Sequence, residues 1–252
     1  MKIYVVANQK GGIGKTTTAT ALASVLSKKG KKVLFVDADK QGNSSDTYKA
    51  KIDGVATLYD VLLDDDRIEI SEAIQHTCNG DIVASDPLLR KADKILYDDI
   101  DGVFRLDDTL KKLNGYDYIV IDTNPSIDAI LKSCLIACDE VIIPVTADRY
   151  ALQGLSQLHE AITSIKRRQN TGLKVAGLLL IKYDKRTNLS KDVEQSLQNI
   201  ADVMNTKLFK TKIRESVKAR EAQAQRMMLL DYSPNSTTAN DYIDFTNELT
   251  EE

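Results

Sequence analysis

Short apolar runs alternate with longer stretches of helical periodicity along this chain. Ile3–Ala7, Val33–Val36, Ile82–Ala84, Tyr118–Ile121, Val141–Val145 and Val175–Ile181 are rich in β-branched residues and continuous rather than alternating. Such runs predict strands buried on both faces. Lys207–Ile213 is a seventh candidate. Between them, Thr16–Lys29 closed by Gly30, Ile127–Ala137, Leu152–Arg168 and Leu189–Met204 predict helices, and Thr238–Leu249 predicts a last one. Strand–helix–strand repetition over the whole length predicts one α/β domain covering residues 1–252. Its sheet is expected to be mostly parallel, of about seven strands, with helices on both faces. No linker, internal repeat or low-complexity block interrupts the pattern.

Composition narrows the class without naming a function. With 42% hydrophobic and 28% charged residues, 12 Gly and 4 Pro, the chain is neither disordered nor collagen-like. A net charge of −3 gives no global attraction to nucleic acid, so any such site must be a local patch. Three cysteines, an odd number, make no disulfide framework and fit a reduced, cytoplasmic setting. The opening apolar run is too short for a signal peptide, and no stretch approaches the ~18 apolar residues of a spanning helix. Residues 64–108 carry 13 Asp/Glu against 5 Lys/Arg, which reads as the solvated face of peripheral helices.

The first strand runs into Asn8-Gln9-Lys10-Gly11-Gly12-Ile13-Gly14-Lys15-Thr16-Thr17-Thr18, and a helix follows. Glycines let the backbone fold tightly and aim successive N–H groups at phosphate oxygens, while the helix N-terminus adds its positive dipole end. The expected nucleotide-binding residues are Lys10, Gly11, Gly12, Ile13, Gly14, Lys15, Thr16 and Thr17. Lys15 is expected to reach the β- and γ-phosphates, and the Thr16 hydroxyl to ligate Mg²⁺. The ordinary pattern G-x-x-x-x-G-K-[ST] fails here, because the opening glycine is missing and a second lysine, Lys10, stands in the loop. Carboxylates sit where a phosphoryl-transfer site needs them. Asp122 ends the strand Tyr118–Ile121 and is expected to hold Mg²⁺ through water. Asp37 and Asp39 follow Val33–Val36 and lie on one side of an extended segment.

Lys10 to Thr16 resembles the deviant phosphate loop of the ParA/MinD superfamily of P-loop ATPases. Val36-Asp37-Ala38-Asp39-Lys40-Gln41-Gly42-Asn43 is similar to that superfamily's second motif, with Lys40 where proline is usual. Tyr116-Asp117-Tyr118-Ile119-Val120-Ile121-Asp122-Thr123-Asn124-Pro125-Ser126 resembles its Walker B strand and switch, with Asn124 in place of a second proline. Ile143-Pro144-Val145, Tyr150-Ala151-Leu152-Gln153-Gly154-Leu155 and Arg186-Thr187-Asn188-Leu189 resemble the partition branch, ParA/Soj. The resemblance implies a Mg²⁺-dependent ATPase. Lys10 would then act in catalysis by reaching the partner's nucleotide across an ATP-bound homodimer. Lys15 would act on the phosphates, Asp39 would orient the attacking water, and Asp37 would support the switch near Mg²⁺. It also implies ATP rather than GTP, although Ile181-Lys182-Tyr183-Asp184 is a near miss to the guanine-reading [NT]-K-x-D.

Residues 206–226 hold seven Lys/Arg and two Glu, a local +5 in a chain of −3. Flexible cations suffice for phosphate contacts that carry no sequence information. By the same resemblance Arg186 and Lys218 match positions that contact double-stranded DNA nonspecifically, and a ParB-like centromere-binding protein is the expected partner. A nucleoid-associated protein follows. The phosphate loop begins at residue 10, so no helix-turn-helix is expected before it and sequence-specific repression is not expected. Two other readings stay open: a nucleotide switch that positions a cargo without DNA, and a metabolic enzyme such as an amidoligase. Cys134 and Cys138, at i and i+4, read as packing residues, and His76 and His159 as surface or packing residues. The acidic last helix is unlike a basic membrane-targeting one, so no membrane partner is expected.

Overall fold

Alternation inside continuous apolar strands sorts side chains between two layers. In β1 (Lys2–Val6), Ile3 and Val5 pack into one core cluster while Tyr4 and Val6 pack into the other. The computed structural model describes residues 1–63, 68–146, 151–184 and 188–251, leaving aside the side chains of 151–153 and 188–192. After β1 come α1 (Lys15–Lys28), β2 (Val33–Ala38), α2 (Asn43–Tyr48), α3 (Leu58–Leu63), β3 (Ile74–Thr77), β4 (Gly80–Val83), α4 (Leu89–Asp98) and α5 (Arg105–Lys112). The second half runs β5 (Tyr118–Thr123), α6 (Ala129–Ala137), β6 (Glu140–Thr146), α7 (Ala151–Arg168), β7 (Lys174–Tyr183), α8 (Asn188–Val203), β8 (Ile213–Arg214), α9 (Val217–Ala224), α10 (Leu229–Tyr232) and α11 (Thr237–Thr250).

The strands form one sheet in the order β3-β4-β2-β5-β1-β6-β7-β8. Every pairing is parallel except β3 with β4. One face is covered by α3 to α8, through residues such as Leu62, Leu96, Leu110, Leu135 and Leu158. The other is covered by α1 and the C-terminal helices, through Leu22, Leu26, Leu230, Tyr242 and Phe245. Strand order reverses around β1, with β5 on one side and β6 on the other. The ligand crevice of such sheets opens at that point, beyond the strands' C-terminal ends.

The sheet has eight strands rather than about seven. The addition is β3, Ile74-Gln75-His76-Thr77, which is polar and only partly buried at an edge, so no apolar run announces it. The strand expected over Lys207–Ile213 is broken instead. Leu208 makes a single bridge to Leu178, and regular pairing resumes only at Ile213 and Arg214. Helix α6 begins at Ala129 rather than Ile127, because Asp128 caps it by accepting from the Leu131 N–H at 3.0 Å. Only the second half of the described acidic stretch folds into peripheral helices, each with a buried apolar edge: Leu89, Ala92 and Leu96 in α4, Leu106 and Leu110 in α5; before them it forms strands β3 and β4. Cys134 and Cys138 are buried and Cys78 is exposed.

Close approach explains one glycine. A Cβ on Gly177 of β7 would stand 2.6 Å from the Phe209 ring and 2.9 Å from the Lys207 carbonyl oxygen. That carbonyl accepts from the Leu178 N–H at 2.8 Å, and the Phe209 N–H donates back to the Leu178 carbonyl at 2.9 Å. Gly177→Ala is therefore expected to push residues 207–209 off the sheet. The cost should be about 1–3 kcal/mol, or about 2–4 °C of Tm for each kcal/mol. A thermal melt followed by circular dichroism checks it; an unchanged Tm would refute the tight approach.

Candidate functional site

A phosphate-type cradle forms where β1 ends and α1 begins. Gly12 and Gly14 adopt φ of 69° and 109°, values that side chains rarely tolerate. Nothing stands within 4 Å of a Cβ added to Gly11 or Gly12, so the loop faces open space there. Gly14 is the N-cap of α1 and supplies no side-chain cap, which leaves the first-turn N–H groups facing a ligand. Asn8 anchors the loop from below: its Nδ2 donates to the Pro144 carbonyl at 2.7 Å, and its Oδ1 accepts from the Lys10 N–H at 2.9 Å. A cleft of about 470 Å³ is lined by the loop from Gly11 to Thr17 together with Asp39 and Pro125. Its far wall includes Lys182, Arg214, Arg220 and Tyr242.

Negative charge converges beneath the cradle. Asp37 and Asp122 are register partners on the neighbouring strands β2 and β5, and both are fully buried. Burial raises both carboxyl groups above the usual range, and the Asp122 charge raises Asp37 further. Ser45 opposes this at Asp37, donating from N–H and Oγ to Oδ2, each at 2.7 Å, while the Asp39 N–H donates to Oδ1 at 3.1 Å. Ser44 Oγ donates to Asp122 Oδ2 at 2.8 Å, and the Thr16 hydroxyl also holds that carboxyl down. Asp122 Oδ1, by contrast, is buried with no hydrogen-bond partner. Lys15 is only 6% exposed; burial lowers its ammonium, and Asp122 and Asp39 pull it back up. Its Nζ donates to the Lys10 carbonyl at 3.2 Å.

An unpartnered buried carboxylate oxygen beside a hydroxyl and a lysine fits a hard divalent cation. Among the described residues no three carboxylates, histidines or cysteines converge into a closed metal cage. Thr16 and Asp122 would leave most positions to water and phosphate oxygens, which suits Mg²⁺. Asp37, which the resemblance places with Thr16 and Asp122 among the Mg²⁺-holding residues, differs from that expectation in detail. Both its oxygens already accept hydrogen bonds, so it braces the Asp39 and Ser45 backbone instead of presenting a free ligand atom.

Sequence reasoning missed Ser44, Ser45 and Ser85. The Ser85 Oγ donates to the Asp39 carbonyl at 2.7 Å, and the Ser85 N–H donates to Ser45 Oγ at 2.8 Å. A serine pair right after the Gln-Gly-Asn turn was the available signal. Asn124 is also built in: its Nδ2 donates to Asp128 Oδ2 at 2.7 Å, and its Oδ1 accepts from the Ser126 N–H at 2.8 Å. Side-chain bonds thus restrain the switch where a second proline is usual.

Of the remaining candidates, Lys218 does not line the cleft. Arg186 and Tyr150 lie outside the described residues. Lys218 stands on α9 with its Nζ on Glu221 Oε2 at 2.8 Å. Three of the seven cations of the basic segment are matched by acids from elsewhere in the chain: Lys212 pairs with Glu194, Arg214 with Asp241, and Arg226 with Asp46. The local +5 of the sequence is therefore not the charge of the surface. Among the described residues no helix is long and apolar enough to cross a membrane.

Residues 1–175 match the family described as AAA domain. Over 251 residues the chain is 37% identical to the sporulation initiation inhibitor protein Soj of Bacillus subtilis, covering 98% of both proteins. It is 33% identical to the chromosome partitioning protein ParA of Myxococcus xanthus, over 98% of this chain and 87% of that one. The chain belongs to the ParA/Soj family of partition ATPases. Among solved structures, McdA of Cyanothece in an ATP complex matches with TM-score 0.88 at 25% identity, covering 100% of this chain and 96% of that one. A cobyrinic acid a,c-diamide synthase from Mycobacterium smegmatis, with bound ADP and magnesium, matches with TM-score 0.85 at 28% identity, covering 100% and 94%. The ParA/Soj loop, second motif and Walker B strand thus meet at one cleft, as the resemblance implied.

The raised carboxyl groups give a pH dependence. The folded chain holds protons on Asp37 and Asp122 that the unfolded chain releases near pH 4. That contribution to stability is present below about pH 4 and is lost as pH rises through the raised values. A cation at the unpartnered Asp122 oxygen stabilises the ionised carboxylate there and offsets part of the loss. Mg²⁺ with ATP should therefore raise Tm more at pH 8 than at pH 5.5, as scanning fluorimetry would register. An equal shift at both values would mean that the carboxylates are ionised throughout.

Proposed function

We propose that this cleft binds Mg²⁺–ATP, that the ATP-bound chain forms a face-to-face dimer, and that the dimer holds DNA without regard to sequence. In this reading hydrolysis, stimulated by a ParB-like centromere-binding protein, releases the DNA and drives partition. One observation carries the reading: the open N-terminus of α1 and the buried Lys15 line one cleft, and the Asp122 carboxyl, with its unpartnered oxygen, lies directly behind them, held by Thr16 and acting on Lys15. Membership of the ParA/Soj family, with an ATP complex of the similar McdA, supports it.

Each residue has a role that its surroundings allow. Lys15 neutralises β/γ-phosphate charge and leaves the Lys10 carbonyl to do so. Thr16 and Asp122 would hold Mg²⁺, which when bound supplies charge neutralisation between phosphate oxygens. Asp39, buried and fixed by Gln41 and Ser85, orients the attacking water. Lys10, on the half-buried rim, neutralises the partner's phosphates. Gly11 to Gly14 and Thr17 complete the cradle. Lys218, with Arg186, contacts DNA phosphates and must leave Glu221 to do so. Nucleoid association of a cytoplasmic protein follows from DNA binding.

Three variants test the nucleotide half. Lys15→Ala should abolish ATP binding in isothermal titration. Lys10→Ala should bind ATP as a monomer yet fail to dimerise in light scattering with ATP and Mg²⁺. Asp39→Ala should dimerise but turn over at least about a hundredfold more slowly, equivalent to about 2.7 kcal/mol. A normal Lys10→Ala dimer would refute the cross-subunit role.

DNA binding is read by fluorescence anisotropy on unrelated duplexes with a slowly hydrolysed ATP analogue. Lys218→Ala, alone and with Arg186→Ala, should weaken all duplexes alike. Removing each cation from a DNA phosphate should flatten the log-affinity against log-salt slope by about 0.9. Wild-type affinity and slope in the double variant would favour a switch that positions cargo without DNA.

A further inference from the structure

The Ile181-Lys182-Tyr183-Asp184 motif has no part in the roles above, yet it closes over the phosphate loop. Ile181 is buried at the end of β7, and its Cδ1 lies 3.2 Å from where a Cβ on Gly14 would stand. Lys182 follows at φ 53°, a left-handed conformation that lysine seldom adopts. Its Nζ donates to the Gly12 carbonyl at 2.8 Å, across 170 residues of chain.

Gly12 is where the loop needs such a restraint. At φ 69°, with nothing within 4 Å of an added Cβ, Gly12 itself has no side chain to anchor its carbonyl, and only the buried Ile13 holds the far end of that peptide. In a trans peptide the carbonyl and the next N–H point in opposite directions. A donor on the Gly12 carbonyl therefore also sets the direction of the Ile13 N–H. Anion recognition by a glycine-rich loop depends on the direction of its N–H groups. Lys15 holds the Lys10 carbonyl in a similar way, but it is also the cation expected to meet the phosphates. Lys182 comes from another strand and can keep its bond while Lys15 moves.

We propose that Lys182 is a positioning residue for nucleotide binding: it holds the Gly12 carbonyl and thereby pre-orients the loop's N–H groups for phosphate. This rests on the assignment of the cleft to Mg²⁺–ATP and adds to it a lysine from outside the loop. The role belongs to the hydrogen bond rather than to the charge, so a neutral donor at the same atom performs it.

Three replacements at position 182 separate donor from charge. Lys182→Met keeps the stem and removes the donor. Lys182→Arg keeps donor and charge. Nε-acetyl-lysine, incorporated at position 182, keeps the Nζ–H and removes the charge. ATP and ADP affinities by titration calorimetry with Mg²⁺, steady-state kcat and KM, and Tm are measured beside wild type. Lys182→Met should weaken both nucleotides about tenfold, equivalent to about 1.4 kcal/mol. It should raise KM more than it lowers kcat and leave Tm unchanged, while arginine and acetyl-lysine recover most of the affinity. Wild-type affinity in Lys182→Met overturns the proposal. So does an acetyl-lysine protein as weak as Lys182→Met beside a normal arginine variant, because that makes Lys182 a charge on the phosphates. Should Lys182→Met melt early, the acetyl-lysine and arginine proteins still decide. A wild-type protein that binds no ATP brings down the site assignment and this proposal together, whereas failure of the variants alone leaves the site standing.

Discussion

Two carboxylates abreast in the middle of a sheet resist simultaneous ionisation unless positive charge is brought to them. Asp37 and Asp122 hold that position on β2 and β5, and their surroundings follow from it. Helix α1 points its N-terminus toward them, Lys15 is buried to face them, and three serines supply hydroxyls at the strand ends. The arrangement is costly in the absence of a ligand, because desolvated charge is only partly offset by hydrogen bonds. A divalent cation at the unpartnered Asp122 oxygen offsets part of that cost.

The far wall of the cleft is tied to the same helix. Tyr242 of α11 is buried and its hydroxyl lies 3.1 Å from Thr18 Oγ1 of α1. The helix that carries the phosphate loop is thus tied to a C-terminal helix as well as to the sheet. The acidic C-terminal helix is a core element, with Phe245 edge-on to Phe209 at 5.0 Å between ring centroids.

Central features were legible from the sequence because they rest on continuous local patterns. β-branched runs buried on both faces mark the parallel strands, and a strand–loop–helix with two lysines marks the cradle. Edge strand β3 was not legible, since a half-exposed polar tetrapeptide shows no periodicity that distinguishes it from a loop. The serine supports were hidden for another reason: Ser44 and Ser45 act across 78 and 8 residues on carboxylates whose burial is a tertiary fact. Local charge counting failed similarly. Lys212, Arg214 and Arg226 meet acids that lie far away in the chain, so a segment's formal charge overstated what its surface presents.

Strand β1 carries the phosphate loop, yet its neighbours in the sheet arrive late. Lys2 pairs with Tyr118 and Tyr4 with Glu140, so neither side of β1 can be covered until more than a hundred further residues exist. At about 5–20 residues per second, ribosomal synthesis leaves this apolar strand unpaired for roughly 6–25 s. During that interval Ile3, Tyr4, Val5 and Val6 form an open edge that other nascent chains could join. The strand that carries the phosphate loop thus waits for ladder partners that lie 116 and 136 residues ahead of it in the chain.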